Sequence, residues 1–87
     1  MDRDQSNTVR VTNLSENTQE DDLRELFRPF GQLKRCYLAM DHETKKARGF
    51  AYVSYYKKEN ALTAIEKLNG HGYDHLILQV EWSEPRG

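Results

Sequence analysis

The sequence predicts an α+β domain with the order β-α-β-β-α-β, a four-stranded antiparallel sheet with two helices on one face and the other face open to solvent. Three observations lead there. Two segments with helical spacing of apolar residues each lie between segments that alternate apolar and polar. The breakers Pro29, Gly31, Asn69 and Gly70 fall at the ends of the helical segments. A length of 87 residues suits one small domain.

The first strand is Thr8 to Asn13, with Val9 and Val11 on one face and Arg10 and Thr12 on the other. Thr18 followed by Asp21 predicts a helix N-cap, and Glu20, Asp21 and Asp22 crowd the first turn, where the helix dipole favours acids. Leu23, Leu26 and Phe27 then keep helical spacing until Pro29 and Gly31 stop it. Leu33 to Met40 is the second strand, with Cys36 and Leu38 inward and Tyr37 and Ala39 on the open face. Asp41 to Ala47 is a polar loop, and residues 48–55 are the third strand. Lys57 to Leu68 is the second helix, burying Ala61, Ala64, Ile65 and Leu68. Gly72-Tyr73-Asp74-His75 reads as a tight turn or short hairpin before a fourth strand from Leu76 to Trp82. Two right-handed βαβ units then place both helices on the same side.

The third strand carries the functional signal. Arg48-Gly49-Phe50-Ala51-Tyr52-Val53-Ser54-Tyr55 puts Arg48, Phe50, Tyr52 and Ser54 on one face. Gly49, Ala51, Val53 and Tyr55 fall on the other, where Tyr55 is packing. A strand that only built a core has no use for a cation and two rings on its second face. A strand that holds single-stranded nucleic acid does: flat rings stack on bases and a guanidinium meets phosphate.

Composition sets the limits. There are 13 Lys and Arg against 14 Asp and Glu, a net charge of −1, so nucleic-acid binding has to rest on stacking more than on bulk charge. The charge is uneven: residues 16–25 are acidic, and residues 34–48 are mildly basic. The single Cys36 excludes an internal disulfide and a cysteine zinc cage. His71 and His75 are four apart, with no second ligand pair, so no metal or other cofactor is expected. No nucleophile–base–orienter set or phosphate-cradling loop is present, which argues against an enzyme. No signal peptide or membrane-spanning run is evident. Residues 1–7 and 85–87 read as loose tails around a domain at 8–84, and the polar ends suggest a domain cut from a longer protein.

Residues 48–55 fit the pattern K/R-G-F/Y-G/A-F-V-x-F/Y with Tyr52 at the fifth position. With Val9-Arg10-Val11-Thr12-Asn13-Leu14 beside them, they resemble the RNA recognition motif. The resemblance covers residues 8–84 and implies a ferredoxin-like sandwich whose open sheet face binds single-stranded RNA. Two positions depart from the family. Arg10 stands where an aromatic is usual, and Lys45 follows Thr44 where glycine is usual. The stretches Val9 to Glu16, Leu26 to Gly31 and Gly72 to Leu78 further resemble the motifs of translation initiation factors. That narrower resemblance implies a cytoplasmic role, with contact to mRNA or rRNA, to other initiation-factor subunits and to the small ribosomal subunit.

The candidate RNA-binding residues are therefore Arg10, Thr12, Asn13, Tyr37, Lys45, Lys46, Arg48, Phe50, Tyr52, Gln79 and Glu81. Phe50 and Tyr52 stack on bases. Arg10 meets phosphate or stacks on a base, since a guanidinium plane does both, and Arg48 holds phosphate. Tyr37 either extends the platform or is an ordinary edge residue. Gln79 can read a base edge, and Glu81 repels phosphate but can accept from a base amino group. Lys45 and Lys46 are a solvated loop tip that adds positive charge. The competing class is a protein-interaction domain of the same fold, docking through its acidic helical face; on either reading the isolated domain is expected to be a monomer.

Overall fold

A computed structural model describes residues 7–73 and 76–83, with the Tyr73 side chain left aside. The strands β1 (Thr8–Thr12), β2 (Leu33–Met40), β3 (Ala47–Tyr55) and β6 (Gln79–Trp82) form one sheet in the order β2-β3-β1-β6. Every neighbouring pair in it is antiparallel. Helices α1 (Glu20–Phe27) and α2 (Lys58–Leu68) supply Leu23, Phe27, Ala61, Ala64 and Leu68 to one core. Those side chains pack against Val9, Val11, Ala51, Val53, Tyr55 and Val80 from one face of the sheet. The predicted alternation is realised at these positions, and the predicted fold with it.

Four local predictions need correction. The N-cap of α1 is Gln19 rather than Thr18, and the Asp22 carboxylate accepts the Gln19 backbone N–H at 3.0 Å. Thr18 is instead buried, with no hydrogen-bond partner for its hydroxyl among the described residues and its N–H donated to the Ser15 carbonyl. Ser54 is not on the open surface: it is 7% exposed, and its hydroxyl lies 2.6 Å from that of Thr8. Ala39 is buried and Met40 exposed, because the β2–β3 register shifts between Leu38 and Met40 and strict alternation ends there.

The fourth correction concerns the last strand, which is shorter than Leu76 to Trp82. Gly72–Tyr73 (β4) and Leu76–Ile77 (β5) pair as a separate two-stranded hairpin. The predicted turn residues Asp74 and His75 lie outside the described residues. Leu78 breaks the ladder: its N–H donates to the His71 carbonyl at 2.9 Å and its carbonyl accepts the Gly70 N–H at 2.8 Å. With both backbone groups engaged beyond the C-terminus of α2, pairing with β1 begins only at Gln79.

The β2–β3 connection is well tied for a polar loop. The Asp41 carboxylate accepts the backbone N–H groups of Glu43 and Thr44 at 2.8 and 3.0 Å. Those bonds favour its ionised form and hold its pKa below the usual carboxylate value. Their contribution is present above the unfolded carboxylate pKa and fades as pH falls through the lower folded one. Lys45 has φ +64°, the left-handed conformation that glycine adopts freely, so this loop keeps the turn but supplies it with a cation.

Candidate nucleic-acid interface

The sheet register builds two rows across the helix-free face. Tyr37 lies opposite Tyr52, Tyr52 opposite Arg10, and Arg10 opposite Glu81, so one row crosses all four strands. Phe50 lies opposite Thr12, and Thr12 opposite Gln79, which forms a second row one pleat along. Seven of the predicted site residues are thereby brought onto one surface, although they come from strands distant in sequence.

The aromatic cluster is continuous. The Tyr37 and Tyr52 rings stack with centroids 6.4 Å apart and planes 23° apart. Phe50 meets Tyr52 edge-on at 6.1 Å, with the planes at 80°. Both contacts lie in the favourable range for aromatic pairs, so the rings hold each other in place. Tyr37 is 53% exposed and stacks on Tyr52, so its ring belongs to the same aromatic cluster. Phe50 and Tyr52 are half-buried. The Arg48 guanidinium carbon sits 5.8 Å from the Phe50 centroid, a cation–π contact that orients the charge beside the rings.

Gly49 permits this arrangement. Its φ of +101° is a conformation side chains rarely adopt, and its carbonyl accepts the Leu14 N–H at 3.0 Å. The strand can therefore turn at Gly49, between Arg48 and Phe50.

The remaining predicted residues divide. Arg10 is not free: its Nη2 donates to Glu81 Oε2 at 2.8 Å. Asn13 takes φ +66°, and its amide donates to the Ile77 carbonyl at 2.7 Å, so that donor is spent joining the end of β1 to the hairpin. Lys46 lies 3.6 Å from Glu16, a loose exposed pair. Lys45 and Arg48 make no ion pair among the described residues. Gln79 is exposed and open toward solvent. The Arg10–Glu81 pair is the feature sequence reasoning missed. Its only signal was opposite charge on two strands that the fold brings side by side.

The other side of the molecule offers no comparable chemistry. Burial pushes the Cys36 thiol pKa up, with Glu20 adding to the shift, so it is a poor nucleophile. Among the described residues, no group of three or more His, Cys, Asp or Glu comes together, and no helix is long and apolar enough to cross a membrane.

Known proteins share this architecture. The chain is 56% identical over 82 residues to the G subunit of eukaryotic translation initiation factor 3 from zebrafish (Danio rerio), covering 94% of this chain. It spans only 28% of the length of that relative. A solution structure of an N-terminal RNA-binding domain superposes with a TM-score of 0.88 at 32% identity, covering 93% of this chain and 82% of the other. The Sex-lethal protein–RNA complex superposes with a TM-score of 0.87 at 27% identity, covering 93% of this chain and 48% of the other. The RNA recognition motif model matches residues 9–78, which take in Arg10 on β1, Tyr37 on β2 and all of β3 with Arg48, Phe50 and Tyr52. The chain that builds this platform belongs to the RNA recognition motif family.

Proposed function

We propose that this chain is a non-enzymatic module that binds single-stranded RNA on its open sheet face and works in translation initiation. The observation that carries the reading is the unbroken cluster Tyr37–Tyr52–Phe50 with Arg48 over its end. Bases stack on those rings, Arg48 and Lys45 meet phosphates, and Gln79 faces a base edge. The likeness to Sex-lethal, whose structure is a complex with RNA, supports the binding mode. The likeness to the G subunit of initiation factor 3 supports the setting: mRNA or rRNA in the cytoplasm, beside other initiation-factor subunits on the small ribosomal subunit.

Titration of the labelled chain with a short oligouridine, followed by NMR, tests the face. Amide shifts should concentrate on Arg10, Thr12, Tyr37, Phe50, Tyr52 and Gln79, and leave the outer positions of α1 and α2 unmoved. Shifts centred on the helices would overturn the assignment. They would favour the reading in which the acidic residues Glu20, Asp21 and Glu25 of α1 make this a protein-docking domain.

The charge arrangement also sets a salt dependence. With Arg10 held by Glu81, two or three cations are left to meet phosphate. At a slope of about −0.7 per contact on a single strand, log affinity against log salt should run at roughly −1.4 to −2.1. A slope steeper than about −4 would require a basic surface that this sheet face does not have.

A further inference from the structure

We infer that Arg10 and Glu81 together form a guanine-reading station on the sheet, an inference that rests on the RNA-binding function proposed above. An exposed ion pair contributes little to stability, and a carboxylate on an RNA-binding face repels phosphate. Glu81 is nonetheless placed in the same cross-strand row as the stacking ring Tyr52, with Arg10 between them. Both side chains face solvent, with exposures of 46% for Arg10 and 58% for Glu81.

The pair leaves hydrogen-bonding capacity unused. Glu81 engages Arg10 through Oε2, and Oε1 takes no hydrogen bond among the described residues. Arg10 uses Nη2 for that contact and keeps the rest of its donor fork. A base lying over β1, next to the Tyr52 ring, meets a donor group and an acceptor group side by side. Neighbouring strands are about 4.8 Å apart, so Tyr52, Arg10 and Glu81 span about 10 Å, enough for one purine beside the ring.

Guanine matches this pair best among the four bases. Its O6 and N7 accept from a guanidinium, while its adjacent N1–H and 2-amino group donate to a carboxylate. Adenine and cytosine each offer the carboxylate one amino donor. Uracil offers a single N–H flanked by two carbonyls, which face the carboxylate unfavourably. The ion pair also fixes each group's orientation, so neither the guanidinium nor the carboxylate has to be ordered when the base arrives.

The test uses fluorescence anisotropy with labelled hexauridine and with the same strand carrying one central guanosine, adenosine, cytidine or inosine. The parent chain should bind the guanosine strand about tenfold more tightly than hexauridine, the low end for one bidentate base contact. Inosine, which lacks only the 2-amino group, should fall between the two. Glu81→Gln keeps the size and removes the charge. It should bring the guanosine preference below about threefold and tighten hexauridine binding, because a bidentate acceptor and a repelling charge are both lost. A preference that survives intact in Glu81→Gln overturns the inference, as does inosine binding as tightly as guanosine. If the parent binds all strands equally, guanine reading is wrong and RNA binding stands. If no strand binds, the proposed function itself falls.

Discussion

Replacing Phe50 and Tyr52 together with alanine is expected to abolish measurable RNA binding while the domain stays folded. One base stacked on one aromatic is worth about 1–3 kcal/mol. Loss of two such stacks weakens binding by about 2–6 kcal/mol, or roughly 30-fold to more than 10,000-fold at about 1.4 kcal/mol per tenfold. The rings touch each other at 6.1 Å, so the single variants will not add simply to the double. Each single variant also loosens the ring it leaves behind, and Tyr37 loses its stacking partner when Tyr52 goes. The structural cost is small by comparison. Neither ring belongs to the core cluster, and the neighbouring inward residues Ala51 and Val53 are untouched. Circular dichroism should match the parent, and isothermal titration with oligouridine should show no saturation. A folded double variant that binds like the parent would remove the platform as the basis of function.

The origin of that platform was legible in eight consecutive residues, because strand alternation is a local rule. It failed where a distant partner intervened. Ser54 follows the alternation of Phe50 and Tyr52, yet it is buried, with its hydroxyl against that of Thr8, 46 residues away. The Arg10–Glu81 pair spans 71 residues, and only the β1–β6 register makes it. Asn13 offered a polar side chain at the end of the first strand, but the hairpin that takes up its amide lies 64 residues on. The cap of α1 slipped by one residue for a local reason. A Thr-x-x-Asp pattern and a Gln-x-x-Asp pattern overlap there, and the Asp22 carboxylate settles on the Gln19 N–H. Short-range chemistry was therefore readable, and the points where β1 meets the C-terminal segments were not.

The largest effect on stability is expected at Gly31, which joins the turn after α1 to the start of β2. Arg28–Phe30 form a single 3₁₀ turn closed by the Gly31 N–H on the Arg28 carbonyl at 3.1 Å. Gly31 itself has φ +153° and ψ 172°, a conformation open essentially to glycine alone. A side chain there meets strain of about 1–3 kcal/mol. It also meets Asn60 in the first turn of α2: an added Cβ would run into Nδ2 and stand 2.7 Å from the Asn60 Cβ. Rotating the Asn60 amide relieves the first contact but not the second, because the Cβ moves only with the helix backbone. Gly31→Ala must therefore push α2 away from the turn, an overpacking cost of about 1–3 kcal/mol. Together the two terms reach about 2–6 kcal/mol, against a total stability of about 5–15 kcal/mol for such a domain. Each kcal/mol is worth about 4–8 °C at this size, so Tm should fall by at least about 8 °C. Asn60→Ala separates the two causes. In that background the loss from Gly31→Ala should shrink by the part due to the amide, while the backbone strain and the Cβ contact remain. A Gly31→Ala variant that melts within about 2 °C of the parent, less than about 1 kcal/mol by the same scaling, would show that the backbone at Gly31 relaxes freely. The contact between α2 and the turn would then not fix the start of β2, the strand that carries Tyr37 to the platform.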